Sequence, residues 1–133
     1  MKQLFRGGIH PNDGNALSRG GAPVPAPAPS RVIIPMSQHI GAPCSPLVKV
    51  GDTVKMGQLI GSSDAPVSAP VHASVSGKVV AITTCTVASG KSVPAVVIDN
   101  DFEDRWDESV KPRENVDALS AMDIAHIAAS CGI

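Results

Sequence analysis

Val48-Lys49-Val50-Gly51-Asp52-Thr53-Val54-Lys55-Met56-Gly57-Gln58-Leu59-Ile60-Gly61 is the stretch on which the fold turns, and Ala73-Ser74-Val75-Ser76-Gly77-Lys78-Val79-Val80-Ala81-Ile82 answers it further along the chain. Both place short runs of Val, Leu and Ile between glycines. Branched side chains favour a pleated surface, so each run reads as a strand. Gly51 and Gly57 permit the sharp turns between them, and the Asp52 carboxylate can bond neighbouring backbone within its turn. Ser76-Gly77 supplies the matching turn in the second stretch. Two glycine-punctuated β halves are therefore expected to close on each other.

Working outward, residues 31–35 form a β-branched run closed by Pro35. Gly41-Ala42-Pro43 and Ser45-Pro46 mark turns, and residues 47–50 and 53–61 read as short strands, the second bent at glycine. Residues 71–75 alternate as a further strand, and residues 78–87 turn at Ser89-Gly90-Lys91 into residues 93–98. Short strands at roughly eight- to twelve-residue spacing point to a sandwich or barrel. No helical-period segment separates them, which argues against a parallel sheet with crossover helices. The fold class expected is mainly β.

The ends differ in character. Residues 1–30 are an extended Gly/Pro-rich arm, in which Ala22-Pro23-Val24-Pro25-Ala26-Pro27-Ala28-Pro29 is biased to polyproline II and serves as a stiff spacer. A second reading makes it a ligand for a proline-binding module. Residues 31–99 carry the β domain. Residues 100–133 read as an acidic, solvated linker and a terminal helix. Ser120 can cap that helix, with Asp123 at the third position. Ile124, Ile127, Ala128 and Cys131 share one face, and Gly132 stands just past the end.

The chain has 133 residues, 43% of them hydrophobic, 2% aromatic, and carries a net charge of −1. That length is enough for one core of Val, Ile, Leu and Ala. No basic run or aromatic platform exists for nucleic acid, which is not an expected partner. No apolar stretch approaches the roughly 18 residues needed to cross a bilayer, and the N-terminus has no apolar signal core, so no direct membrane insertion and a cytoplasmic home are expected. Three cysteines, Cys44, Cys85 and Cys131, are an odd number at long spacing and fit reduced thiols.

The two opening stretches resemble the halves of biotinyl and lipoyl domains, the barrel-sandwich hybrid fold. Such carriers attach biotin or lipoate to one lysine on the hairpin between the halves. Here that hairpin is Ser62-Ser63-Asp64-Ala65-Pro66-Val67-Ser68-Ala69-Pro70, which has no lysine, while Lys55 and Lys78 belong to the turn motifs. The fold is expected; the carrier chemistry is not, though a carrier or adaptor of biotinyl or lipoyl type is the alternative function. A wider ordered pattern is more specific. Phe5-x-Gly7-Gly8-Ile9-His10-Pro11, Ile34-Pro35-Met36-Ser37-Gln38-His39-Ile40-Gly41-Ala42-Pro43, residues 48–61 and Val71-His72-Ala73-Ser74-Val75-Ser76-Gly77 resemble the N-terminal region of the RnfC component of Rnf-type electron transport complexes. Similar regions occur in sodium-pumping NADH:quinone reductase and cobalamin reductase subunits.

That resemblance implies a non-catalytic docking or scaffold domain of an ion-translocating NADH/ferredoxin oxidoreductase subunit, peripheral on the inner face of the cell membrane. Its partners would be other subunits of the complex and a following flavin- and NADH-binding domain. FMN, NADH and iron–sulfur clusters are then expected in the parent subunit and none in this segment. No catalytic, cofactor-binding or metal residue is assigned. Gly57-Gln58-Leu59-Ile60-Gly61 lacks the Lys-Ser/Thr and the helix of a phosphate loop. His39 and Cys44 are the one pair weighed as a metal module, and no clustered ligand pairs accompany them. His72 is expected as a hydrogen-bonded barrel residue, Asp52 as a turn former and Cys131 as a small hydrophobe. His10 and the lysine-free hairpin 64–70 are the expected contact surfaces.

Overall fold

A computed structural model describes residue 8, residues 14–17 and residues 19–133. His10, and the rest of the arm's Phe5-to-Pro11 motif apart from Gly8, lie outside the described residues. A short 3-10 turn spans Asn15–Leu17, and residues 21–29 of the proline run have no regular secondary structure and are exposed.

Among the described residues, seven strands form two antiparallel sheets. β1 (Arg31–Pro35), β7 (Ser92–Asn100), β6 (Gly77–Thr86) and β3 (Thr53–Val54) make one sheet in that order, and β2 (Ser45–Pro46), β4 (Leu59–Ser62) and β5 (Val71–His72) make the other. β6 and β7 are the long pair, in register from Gly77↔Asn100 to Thr86↔Ser92 with a bulge between Val79 and Ala81. β1 lies at an edge, which accommodates the missing amide of Pro35. Its outer end is tied by Arg31, whose Nη2 donates to Asp99 Oδ2 at 3.1 Å.

The stretch read as one bent strand, residues 53–61, divides at the Gly57 turn into β3 in one sheet and β4 in the other. It therefore links the layers. Two expectations need correction. The strand placed at residues 47–50 lies earlier, at Ser45–Pro46; Val48 is buried in the core, while the Lys49 amide donates to Asp52 Oδ2 at 2.8 Å in the turn anticipated for Asp52. The strand at residues 71–75 is regular only over Val71–His72, because the Ala73 amide leaves the ladder to bond Gln58 O and its carbonyl accepts from Gly57.

The core lies between the sheets. Ile34, Val79, Val96 and Ile98 from the first sheet face Ile60 and Val71 from the second, with Met36 and Cys44 at one end. Gly61 packs so closely that an added Cβ would stand 2.6 Å from Met36 Sδ. Gly77 has φ +152° and its missing Cβ leaves room for the Asp99 carbonyl, 1.9 Å from where that atom would be.

α1 (Ala121–Ser130) follows a 3-10 turn at Val116–Ala118. Its capping box is complete: Asp123 N donates to Ser120 Oγ at 3.2 Å, and Ser120 N donates to Asp123 Oδ2 at 2.9 Å. At the other end Gly132 takes φ +83°, and the Gly132 and Ile133 amides return to Ala129 O and Ala128 O, a Schellman closure. None of its residues is buried, and Cys131 is exposed rather than packed as a small hydrophobe. On the face expected to be apolar, Ile127 and Ala128 are half-buried and Ile124 and Cys131 are exposed. No helix among the described residues is long and apolar enough to cross a membrane.

Candidate functional site

The lysine-free hairpin between β4 and β5 is pinned at its base. Ala42 N donates to Val67 O at 2.9 Å, and Ser68 Oγ donates to Ala42 O at 2.9 Å. Gly41, at φ +125°, lies against Val67: a Cβ would sit 2.2 Å from the Val67 carbonyl oxygen. The hairpin is thus fastened to the turn at residues 41–44.

His39 and Cys44 do come together here, through Ser68. His39 Nε2 lies 3.0 Å from Ala42 O and 3.2 Å from Ser68 Oγ, and Cys44 Sγ lies 3.7 Å from Ser68 Oγ. A histidine within 3.2 Å of a serine hydroxyl has the spacing of a base and its nucleophile. The hydrogens point elsewhere. A carbonyl only accepts, so Ser68 spends its proton on Ala42 O, and His39 with its hydrogen on Nε2 is a second donor to that oxygen. Cys44 is buried and donates to Ala69 O at 3.1 Å. The trio is a fastening between loop and turn. Among the described residues, no three His, Cys, Asp or Glu side chains gather as a metal site would require.

The other residues singled out from the sequence lie apart from it. Lys55 faces Glu108 at 3.4 Å, and Lys78 is exposed on β6 opposite Thr53 and Asp99. Neither stands on the hairpin. His72 is half-buried on β5, at the wall of a groove of about 680 Å³ that Val32, Ile34, Pro70 and Gly132 also line. Its backbone belongs to the β4–β5 ladder, but its imidazole makes no hydrogen bond to a described residue, contrary to expectation.

A second constellation was not anticipated. Ser76, read only as a turn residue, is fully buried, and its Oγ donates to Asp101 Oδ1 at 2.6 Å while accepting from Arg105 N at 3.1 Å. Asp101 also accepts from Glu103 N at 3.0 Å. These bonds, the Ser76 hydroxyl foremost, hold the Asp101 carboxyl below the usual carboxylate range. Beyond this hub the chain lies along the Gly57 turn: Met56 N donates to Arg105 O at 2.8 Å and Asp107 N to Met56 O at 2.9 Å. The acidic stretch is exposed, as a linker would be, yet it is stitched to the body. Nothing local announces these partners, which lie far apart in the chain; a lone Trp106 in an acidic run is the only hint.

The cofactors expected of the parent subunit do not fit the residues here. A cluster is held by four thiolates, whereas the three cysteines stand on separate elements and Cys44 is buried with its thiol bonded. The Gly57–Gly61 stretch runs into a strand, and Trp106 and Val110 cover Gly57. The N-terminus of α1 is already capped by the Asp123 carboxylate, so it is closed to a phosphate.

Comparison with known proteins follows the same lines. Residues 3–103 match the family model described as the RnfC barrel sandwich hybrid domain. The chain is 47% identical over 132 residues to the RnfC-type component of the Na(+)-translocating ferredoxin:NAD(+) oxidoreductase complex of Acetobacterium woodii, covering 97% of this chain and 29% of that protein. It is 44% identical over 133 residues to the corresponding component of the proton-translocating ferredoxin:NAD(+) oxidoreductase complex of Clostridium ljungdahlii, covering 100% and 29%. Against its counterpart in the ion-translocating oxidoreductase complex of Rhodobacter capsulatus it is 38% identical over 131 residues, covering 97% and 25%. The chain spans less than a third of the length of these relatives.

Proposed function

This chain belongs to the RnfC barrel-sandwich hybrid domain family, and from that premise we propose that it is the docking domain of an RnfC component in an ion-translocating ferredoxin:NAD(+) oxidoreductase complex. The observation that carries the reading is the family match across residues 3–103, joined to a surface whose chemistry-bearing side chains are used as fastenings. In this role the domain positions the remainder of its polypeptide against other subunits at the cytoplasmic face of the membrane. The flavin, NADH and iron–sulfur sites belong to that remainder, and residues 31–99 are the rigid body that presents the contact surfaces. A carrier role draws no support from the hairpin: an amide-linked biotin or lipoate needs a primary amine at its tip, and residues 62–70 have none.

The test is made on the full-length RnfC polypeptide. With an affinity tag on another member of the complex, the intact polypeptide copurifies with it. A form lacking residues 3–110 is expected to be lost from the complex while retaining its flavin. Undiminished copurification of the shortened form would overturn the docking role.

A further inference from the structure

Trp106 and Val110 close over the Gly57 turn, where an added Cβ would stand 2.6 Å from Val110 Cγ2 and 3.7 Å from the Trp106 ring. Their outer faces are open: Trp106 is 59% exposed and Val110 44%. Phe102, held at a left-handed φ of 60°, is 56% exposed. Both aromatic residues that the structure describes are therefore turned to solvent, while the core is filled by Val, Ile, Ala and Met. Burying such side chains is strongly favourable, and exposed aromatic anchors ringed by polar groups are typical of interface centres.

The surroundings specify the partner. Residues 99–108 contain six carboxylates and one basic residue, Arg105, a net charge of −5; the rest of the chain, against a total of −1, carries +4. The negative charge is thus concentrated around the exposed rings. Arg31 and Lys55 answer two of these carboxylates from outside the stretch, which leaves it acidic. Such a field repels nucleic acid and anionic lipid and attracts a basic protein surface.

We infer that Trp106, Val110 and Phe102 form a docking surface for an apolar face, rimmed by Lys and Arg, on a neighbouring protein of the complex. This deepens the docking role proposed above and rests on it. The apolar side chains supply the buried contact, and the carboxylates steer and orient the partner.

The experiment uses the assembled complex, with a photoreactive p-benzoylphenylalanine in place of Phe102 in the full-length polypeptide. Irradiation is expected to link position 102 to a Lys/Arg-rich segment of a different polypeptide. Adding Glu103→Gln and Asp104→Asn, substitutions at exposed positions that keep the side-chain shapes, should lower that yield at least about threefold, and raising the salt should do the same. A crosslink confined to the same polypeptide, one to a segment without basic residues, one indifferent to charge and salt, or none at all would each overturn the inference. If the form lacking residues 3–110 still copurifies, the docking role itself falls; if that form is lost and position 102 stays unlinked in the intact complex, only this surface does.

Discussion

At the scale of single residues, Ser76 is the buried polar side chain on which the end of the β domain hangs. Its hydroxyl, fully buried, gives its hydrogen to Asp101 and accepts the half-buried Arg105 amide, so Ser76→Ala would remove both bonds and leave that amide without its acceptor. Orphaning such a group costs on the order of 1–3 kcal/mol. Urea unfolding should therefore show that loss, and an unchanged midpoint would show that the hub does not hold the segment. The same pair predicts a pH effect. Asp101 is held below 3.8, first by the Ser76 hydroxyl, then by the Glu103 amide and Arg105. A depressed carboxyl stabilises fully above its unfolded value of 3.8 and loses that contribution as pH falls through the lower folded value. Asp99, Asp107 and Asp123 are shifted the same way, so the whole domain should weaken in acid. The difference in stability between Ser76→Ala and the parent should shrink over that window. A difference constant from neutral pH down through the window would contradict this coupling.

At the scale of elements, α1 relies on its ends. It buries none of its residues, so its stability comes from the capping box and the Schellman closure rather than from packing. Ser120→Ala removes one half of the box and should cost about 1 kcal/mol of helix stability. Amide exchange would show it as faster exchange within residues 121–130, with the strand amides unchanged; equal protection in both proteins would mean that packing, not capping, holds the helix. This helix was legible because caps are local: Ser120, Asp123 and Gly132 lie within one short window. The strands at 31–35, 78–87 and 93–98 were legible for a similar reason, since long runs of branched residues allow little else. The short ones were legible only in part: residues 53–61 and 71–75 read as strands and hold β3, most of β4 and β5, whereas β2 was missed. Ser45 and Pro46 look like turn residues, and they form a strand only because the Gly61–Ser62 edge offers itself as a partner. The meeting of His39, Cys44 and Ser68, and the clasp of Met56 by residues 105–107, likewise depend on closure of the barrel. Contacts made by tertiary closure leave no periodic trace in the chain.

At the scale of the whole molecule, two sheets share one core, and neither has a second apolar layer to lean on. Ile60, from β4 in the small sheet, and Ile98, from β7 in the large one, are both completely buried in the same cluster. The Thr53-to-Gly61 stretch passes from one sheet to the other through Gly57, so the layers are joined by chain as well as by packing. A three-stranded sheet whose strands have only two to four residues cannot persist alone. Loss of a core side chain in either layer must then weaken both. Ile60→Ala and Ile98→Ala should each cost about 2–5 kcal/mol, the sum of the lost transfer energy and the cavity left behind. Each should unfold in one transition, with signals from β4 and from β7 disappearing together in urea. Should Ile60→Ala melt the small sheet while the β6–β7 pair stays folded, the two layers would be separate units. A docking surface on residues 102–110 would then be positioned by only one of them, because the Met56 turn that holds it lies between the sheets.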